Sequence, residues 1–300
     1  MKACYIDCSP FMLELMTSAE LKLPDNLHVH VGDPEPGQIL DVIADAAIVL
    51  NGHTYMDEAL IAELRSVKRI VFLGTGASSY IDVAAAERRS IEIKTVRGYG
   101  DRSVAEHAIA LVMACSRQIA RMDRQMRGGI WEPLGGRELS SQTIGIIGAG
   151  GIGLEVAKIS VALGMKVLIW NRSALSGTWQ NCQVPIEQLL PESDIVSLHL
   201  ALTPETHNFV DAARLSQMKQ GATFINTARA GLVDEAALIA ALEGGHLAHA
   251  GLDVFNQEPL SPAHPFHRME SVTLTSHAAY KTPEASIRLI ERALDLAFSA

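Results

Sequence analysis

Three hundred residues, 48% of them apolar, are enough for one large or two ordinary globular domains, and a formal net charge of −9 argues against nucleic acid or an anionic membrane as partner. The four cysteines form no Cys-x-x-Cys pair, no apolar run reaches membrane-spanning length, and the chain opens on a strand-like segment rather than a charged leader. A reducing, cytoplasmic compartment is the expectation.

In chain order, residues 3–6, 27–31, 47–50, 69–73 and 91–96 read as strands, with helical patterns over 11–19, 38–44, 57–64 and 82–88 between them. Strands alternating with helices predict a parallel sheet covered on both faces. A helical stretch rich in Ala, Met and Arg follows over 102–126. Cys115 lies among its apolar residues and is expected to be buried, whereas Arg117, Arg121, Arg124 and Arg127 read most simply as a solvated basic face.

A β-branched run over 143–147 then leads into Gly148-Ala149-Gly150-Gly151-Ile152-Gly153 and a helical pattern to 163, with a second strand over 166–170. Strand, Gly-x-Gly-x-x-Gly, helix and strand is the context in which a dinucleotide fingerprint has meaning. Gly148 permits the tight turn, Gly150 lets backbone approach a pyrophosphate, and Gly153 lets helix and strand pack closely. The helix N-terminus then turns free N–H groups toward the phosphates. An NAD site usually carries an acid at the end of the second strand, for the ribose 2′-hydroxyl. Here that place reads Trp170-Asn171-Arg172-Ser173, and no Asp or Glu occurs between Glu155 and Glu187. Arg172 can pair with a 2′-phosphate and Ser173 can donate to it, so NADP(H) is the expected cofactor and NAD(H) the alternative.

Later strands are expected over 195–200, 223–226, 249–254 and 272–275, helices over 212–218 and 235–243, and a last helical stretch from 283 onward. Three polar residues fall just beyond these strands. Arg229 ends Phe224-Ile225-Asn226-Thr227-Ala228-Arg229, Glu258 lies in Asp253-Val254-Phe255-Asn256-Gln257-Glu258-Pro259, and His277 follows Val272-Thr273-Leu274-Thr275-Ser276. Taken singly, each has a plain structural explanation, and only together do they suggest a catalytic set. His246 with His249 and His264 with His267 are spaced i, i+3 without a third ligand, so no catalytic metal is expected.

With these segments, and with Gly74-Thr75-Gly76, Ser103-Val104-Ala105-Glu106-His107, Ser197-Leu198-His199-Leu200 and Leu202-Thr203-Pro204-Glu205-Thr206, the chain resembles the D-isomer-specific 2-hydroxyacid dehydrogenases over nearly its whole length. That family includes glyoxylate and hydroxypyruvate reductases and the phosphoglycerate dehydrogenases. The resemblance implies an α/β fold of two doubly wound parallel-sheet domains. A flavodoxin-like substrate domain would take 1–98 plus 281–300, a Rossmann cofactor domain 99–280, and a hinged cleft would separate them. It places the family's Arg-Glu-His set on Arg229, Glu258 and His277. It also implies that amides of Gly74, Thr75 and Gly76 bind the substrate carboxylate, and that Asp253 holds the nicotinamide carboxamide. Thr227 and Ala228 would line the cofactor, and His199 would line the nicotinamide pocket or merely cap a strand.

The chemistry suits these residue types. A 2-keto acid presents a carboxylate beside a ketone, and a guanidinium can grip the first while polarising the second. An imidazolium can protonate the oxyanion that develops, and a carboxylate can orient that imidazole. Two departures from the family pattern stand out. Ala201 replaces a frequent proline, and Asn51 and His53 stand where phosphoglycerate-handling relatives tend to place arginine. The expected reaction is therefore hydride transfer between NADP(H) and a small unphosphorylated 2-keto acid. Alternatives are an NAD-linked relative such as a phosphoglycerate dehydrogenase, or a non-catalytic nucleotide-sensing protein. Tyr55, Tyr80, Tyr99 and Trp131 would shape the pocket or pack in the core. A homodimer is implied by the resemblance alone, with the 102–126 stretch at the contact.

Overall fold

β-branched strands bounded by Asp, Ser and Gly build two separate sheets in the computed structural model, which describes residues 1–299. One unit comprises Met1–Gly100 and the chain from Lys281 onward, and the other comprises Asp101–Tyr280.

The first unit runs β1 (Ala3–Cys8), α1 (Pro10–Ser18), β2 (Leu27–Val31), α2 (Ile39–Ile43), β3 (Ile48–Asn51), α3 (Glu58–Glu63), β4 (Arg69–Phe72), α4 (Val83–Arg88) and β5 (Glu92–Thr95). All pairings are parallel and the order is β2-β1-β3-β4-β5, so the chain reverses direction of winding between β1 and β3. Successive residues serve opposite faces. Cys4, Ile6, Val49, Ile70 and Phe72 pack on one side, and Ala3, Tyr5, Ile48, Leu50 and Val71 on the other. Such strands, buried on both faces, need helices on both. Helix starts are set by short polar side chains: Ser9 accepts the amide of Met12, Asp57 that of Leu60 and Asp82 that of Ala85. Each such cap contributes about 1 kcal/mol.

The second unit runs α5 (Asp101–Ser116), α6 (Ile119–Arg127), β6 (Thr143–Ile147), α7 (Gly151–Ala162), β7 (Lys166–Trp170), α8 (Ile186–Glu192), β8 (Ile195–Leu198), α9 (Ala212–Gln217), β9 (Ala222–Asn226), α10 (Glu235–Glu243), β10 (Leu247–Leu252) and β11 (Val272–Leu274). Its parallel sheet has the order β11-β10-β9-β8-β6-β7, with the switch point between β6 and β8. The fold class is the expected one, two doubly wound α/β sheets. From Lys281 the chain returns to the first unit as α11 (Pro283–Phe298), capped by Thr282 on the amide of Ala285.

One expected helix is divided, and α8 was not expected at all. The stretch over 102–126 is not continuous, because Gln118 adopts φ 52° and ψ 34° and divides α5 from α6. α5 is packed inside the unit, with Cys115 buried as expected, whereas α6 buries none of its side chains. The left-handed turn lets the chain leave the core, and Gln118 holds it by donating from Nε2 to the carbonyl of Gly135 at 2.8 Å. Among the described residues no helix is long and apolar enough to cross a membrane.

Candidate active site

In the second unit Asn226, Leu252 and Leu274 stand at one level of adjacent strands and end β9, β10 and β11. The residues that follow them therefore emerge at the same sheet edge, where open α/β sheets bind ligands. Arg229 lies three positions past β9, Glu258 six past β10 and His277 three past β11.

Asn226 shapes the first of these turns. Its Oδ1 accepts the amide of Ala228 at 2.9 Å, and its Nδ2 donates to the carbonyl of Arg229 at 3.1 Å. The guanidinium of Arg229 donates from Nη1 to the carbonyl of Ala228 at 2.7 Å, and its other donors bind no protein group among the described residues. His277 has φ +50°, a left-handed conformation that costs a non-glycine residue about 1–2 kcal/mol. Its ring is held by Nδ1 against Glu258 Oε2 at 2.6 Å, while Glu258 Oε1 accepts the amide of Phe255 at 2.9 Å. With Nδ1 engaged, Nε2 is the ring atom left to exchange a proton with a ligand. Tyr280 meets the His277 ring edge-on at 6.3 Å.

The fingerprint glycines each have a steric reason. Gly148 has φ +102°, and a Cβ there would lie 2.6 Å from the carbonyl oxygen of His199. A Cβ on Gly153 would lie 2.0 Å from the carbonyl oxygen of Gly148, and one on Gly151 would lie 1.8 Å from Asp101 Oδ2. At Gly150 a Cβ would meet nothing within 4 Å, so the N-terminus of α7 borders open space. Ile152 is half-buried against the β6 side of the core. Asn171 ties the loop to the end of β7, accepting the amide of Ala149 at 3.1 Å and donating to Ser173 Oγ at 3.0 Å. Arg172 and Ser173 are exposed, and Arg172 makes no hydrogen bond to the protein among the described residues. Thr227 is buried with its hydroxyl unpaired, and Ala228 is half-buried beside it. Free helix-end amides, an orphaned hydroxyl and an unpaired guanidinium along one edge fit a dinucleotide.

Two of the expected cofactor-lining residues are closely held by the protein. Asp253, expected at a nicotinamide carboxamide, is 0% exposed. Its carboxylate accepts Thr275 Oγ1 at 2.6 Å and the amides of Ala278 and Ala279 at 3.0 Å each. His199 bonds through Nε2 to Ser197 Oγ at 2.8 Å, and burial pulls its pKa down to about 4, so its imidazole is neutral at ordinary pH.

The loops at the switch point of the first sheet were only partly readable. Asn51 is fully buried and turned inward, with Oδ1 on the amide and Nδ2 on the carbonyl of Thr54, both at 2.9 Å. The buried Asp7 accepts from the amides of Gly52, His53 and Thr54 and from the Thr54 hydroxyl. His53 Nε2 sits 2.7 Å from Asp33. In the 74–76 loop the amide of Gly74 donates to the carbonyl of Phe72, while those of Thr75 and Gly76 find no acceptor among the described residues. Tyr55 (68% exposed) and Trp131 (84%) are surface residues, so core packing is excluded for both. Tyr80 stacks on Phe72, and Tyr99 packs beside the face of the first sheet that α11 covers.

Comparison with known proteins agrees with this geometry. The family model for the NAD binding domain of the D-isomer specific 2-hydroxyacid dehydrogenases matches residues 109–279. A D-3-phosphoglycerate dehydrogenase of Archaeoglobus fulgidus is 36% identical over 268 residues, covering 88% of this chain but only 51% of that protein. The chain thus spans about half the length of that relative. A glyoxylate reductase of Korarchaeum cryptofilum is 35% identical over 267 residues, 86% of this chain and 80% of the relative. Among solved structures, an acyclic imino acid reductase in complex with NADPH and D-Arg superimposes with a TM-score of 0.84 at 29% identity, covering 98% of this chain and 95% of that one. D-lactate dehydrogenase with NAD+ from Lactobacillus jensenii gives 0.81 at 30% identity, covering 98% and 94%.

Proposed function

The chain belongs to the D-isomer specific 2-hydroxyacid dehydrogenases, and we propose that within this family of nicotinamide-dependent oxidoreductases it reduces small unphosphorylated 2-keto acids with NADP(H). The observation that carries this reading is the 2.6 Å pair of His277 Nδ1 and Glu258 Oε2, one strand removed from Arg229, whose guanidinium spends only Nη1 on the protein among the described residues.

The reduced nicotinamide, when bound, supplies the hydride. Arg229 holds the substrate carboxylate with paired, charge-assisted hydrogen bonds, each contributing roughly 1.5–3 kcal/mol. The same cation draws electron density from the adjacent ketone. His277 delivers a proton from Nε2 to the developing oxyanion, and in the reverse direction takes it from the hydroxyl. Glu258 fixes the ring through Nδ1. In the first unit the amides of Thr75 and Gly76 find no acceptor among the described residues, and with Gly74 they make a loop suited to an anion. Gly148, Gly150, Gly151, Ile152 and Gly153 would hold the pyrophosphate, and Asn171, Arg172 and Ser173 the adenosine ribose with its 2′-phosphate. Thr227, Ala228 and His199 line the nicotinamide end.

The substrate class follows from what the loops lack. Asn51 is closed on Thr54 and His53 is drawn to Asp33, so neither offers a fixed cation for a phosphate. Glyoxylate and hydroxypyruvate fit that limit, and the named activity of the Korarchaeum relative, which this chain matches over 80% of its length, leans the same way. A homodimer is supported by α6, whose Ile119 and Met126 share one helical face that the chain itself leaves exposed.

A panel of 2-keto acids against NADPH and NADH, with wild type and His277→Asn, tests the proposal. Wild type should turn over glyoxylate or hydroxypyruvate with NADPH in preference to NADH. His277→Asn should still bind NADPH but lose about 10²–10⁴-fold in kcat, the usual contribution of a positioned acid–base group. Binding of NADPH without turnover of any keto acid would favour a nucleotide-sensing protein instead.

A further inference from the structure

We infer that the buried cluster of Asp253, Thr275 and His107 is a latch that positions His277. The inference rests on the reading of His277 as the acid–base group.

The hydrogen bonds have only one consistent arrangement. The Thr275 hydroxyl owns one proton, and the 2.6 Å contact with Asp253 Oδ1 commits it to the carboxylate. His107 Nε2, 2.9 Å from the same hydroxyl oxygen, must then be the donor, which fixes its ring as protonated on that nitrogen. It also lies 3.5 Å from Asp253 Oδ1. The carboxylate further accepts the amides of Ala278 and Ala279, and the carbonyl of Asp253 accepts the amide of His277 at 2.8 Å. Three consecutive amides of the loop, 277 to 279, therefore point at a single residue. That convergence is what holds His277 at φ +50°, a conformation its own local energetics disfavour. Removing the donor from α5 leaves the Thr275 hydroxyl free to rotate and weakens the grip on both amides.

The carboxylate is ionised under working conditions. Burial alone would raise its pKa, but the hydrogen bonds from His107, Thr275, Ala278 and Ala279 outweigh burial and leave it below the usual carboxylate value. Asp253 Oδ1 takes the Thr275 hydroxyl and the amide of Ala278, Oδ2 takes the amide of Ala279, and the carboxylate has no exposed surface.

Three variants decide the matter: His107→Leu, which removes the donor, His107→Gln, which restores one at similar reach, and Thr275→Val. Asp253→Asn strips a buried anion from its donors and unfolds too readily to be diagnostic. Hydrogen-exchange mass spectrometry of the 276–280 segment, NADPH dissociation constants and kcat are measured for each. His107→Leu and Thr275→Val should speed exchange of these amides by roughly 10-fold or more as the loop opens locally. In the same variants kcat should fall by about 10–100-fold, as for other lost supporting contacts, with the NADPH dissociation constant within about threefold of wild type. His107→Gln should recover most of both. Unchanged exchange in His107→Leu, loss of NADPH affinity in step with kcat, or a Gln variant no better than Leu would each overturn the latch. Should wild type turn over no keto acid, the catalytic reading fails on its own, while exchange and NADPH affinity still judge the latch.

Discussion

Arg172 stands where a dinucleotide-binding domain usually carries an acid, exposed and without a hydrogen bond among the described residues. Its charge is felt by Glu205, whose carboxyl is held below its usual value by the Thr203 hydroxyl and, more weakly, by Arg172. A guanidinium in this state gives up no existing bond when it takes a phosphate. Arg172→Ala is therefore expected to weaken NADPH binding about 10–100-fold, the equivalent of one charge-assisted contact, and to leave NADH within about twofold. Titration of both cofactors by fluorescence checks this, and equal losses for the two would remove Arg172 from the 2′-phosphate. At this scale the motif residues were readable, because glycine, arginine and histidine at fixed offsets from strand ends announce their chemistry. Their partners were not. His107 and Thr275 meet across 168 positions of sequence, and Asp7 reaches a loop 45 to 47 positions away. Nothing local marks either carboxylate as a fastener.

Secondary structure was readable wherever burial enforced a period. The strict alternation of faces along β1, β3 and β4, and the Asp or Ser three residues ahead of each capped amide, are both visible in the letters. α8 escaped notice because it is short and contains Pro191, which reads as a helix breaker. The division of α5 from α6 escaped because apolar residues continue at helical spacing through Gln118, and a single left-handed residue leaves no trace in that spacing. α6 is nonetheless secured at its arginines: Arg121 pairs with Glu270 at 2.8 Å and Arg124 reaches the Glu270 carbonyl at 3.4 Å. That leaves Ile119 and Met126, each 52% exposed, as an uncovered apolar face. Ile119→Asp combined with Met126→Asp should halve the mass seen by light scattering, while a partnerless face would leave it unchanged. Thermal stability of the monomer should move by less than about 1 kcal/mol, since neither side chain packs inside the chain.

Across the whole chain, acid is the condition to which the fold is most exposed. His199, with its pKa pulled from 6.5 to about 4 by burial, cannot take up a proton that the unfolded chain accepts readily. Its contribution is intact above pH 6.5 and declines as pH falls toward 4, by about 3 kcal/mol over the interval. His249, also lowered by burial, pulls the same way. Asp194 and Asp253 behave differently. For both, burial alone would raise the pKa; hydrogen bonds from Lys219 and Thr143 in the first case, and from His107 and the loop in the second, leave it lowered. Their stabilisation is present above the unfolded carboxylate value near 3.8 and vanishes only as pH falls below it. The urea midpoint should thus fall from pH 6.5 to 4 and fall again below 4, with His199→Gln flattening the first limb. An unchanged midpoint across the first interval would contradict the buried neutral imidazole.

The interrupted path of the first unit has a consequence during synthesis. Its sheet face formed by Tyr5, Leu50 and Val71 is sealed by Leu289, Ile290, Ala293 and Ala297 of α11, and Arg69 clasps the carbonyls of Leu296 and Ala297. Arg288 and Arg292 fasten the same helix to the carbonyls of Tyr99 and Arg97. Residues 1–100 leave the ribosome ahead of α11 and must wait, greasy side bare, until that helix is made. The middle segment, unbroken from 101 to 280, has everything it needs as soon as it emerges. Nascent chains of this protein therefore mature from the middle segment outward, and it is the stretch before residue 101 that depends most on protection by chaperones.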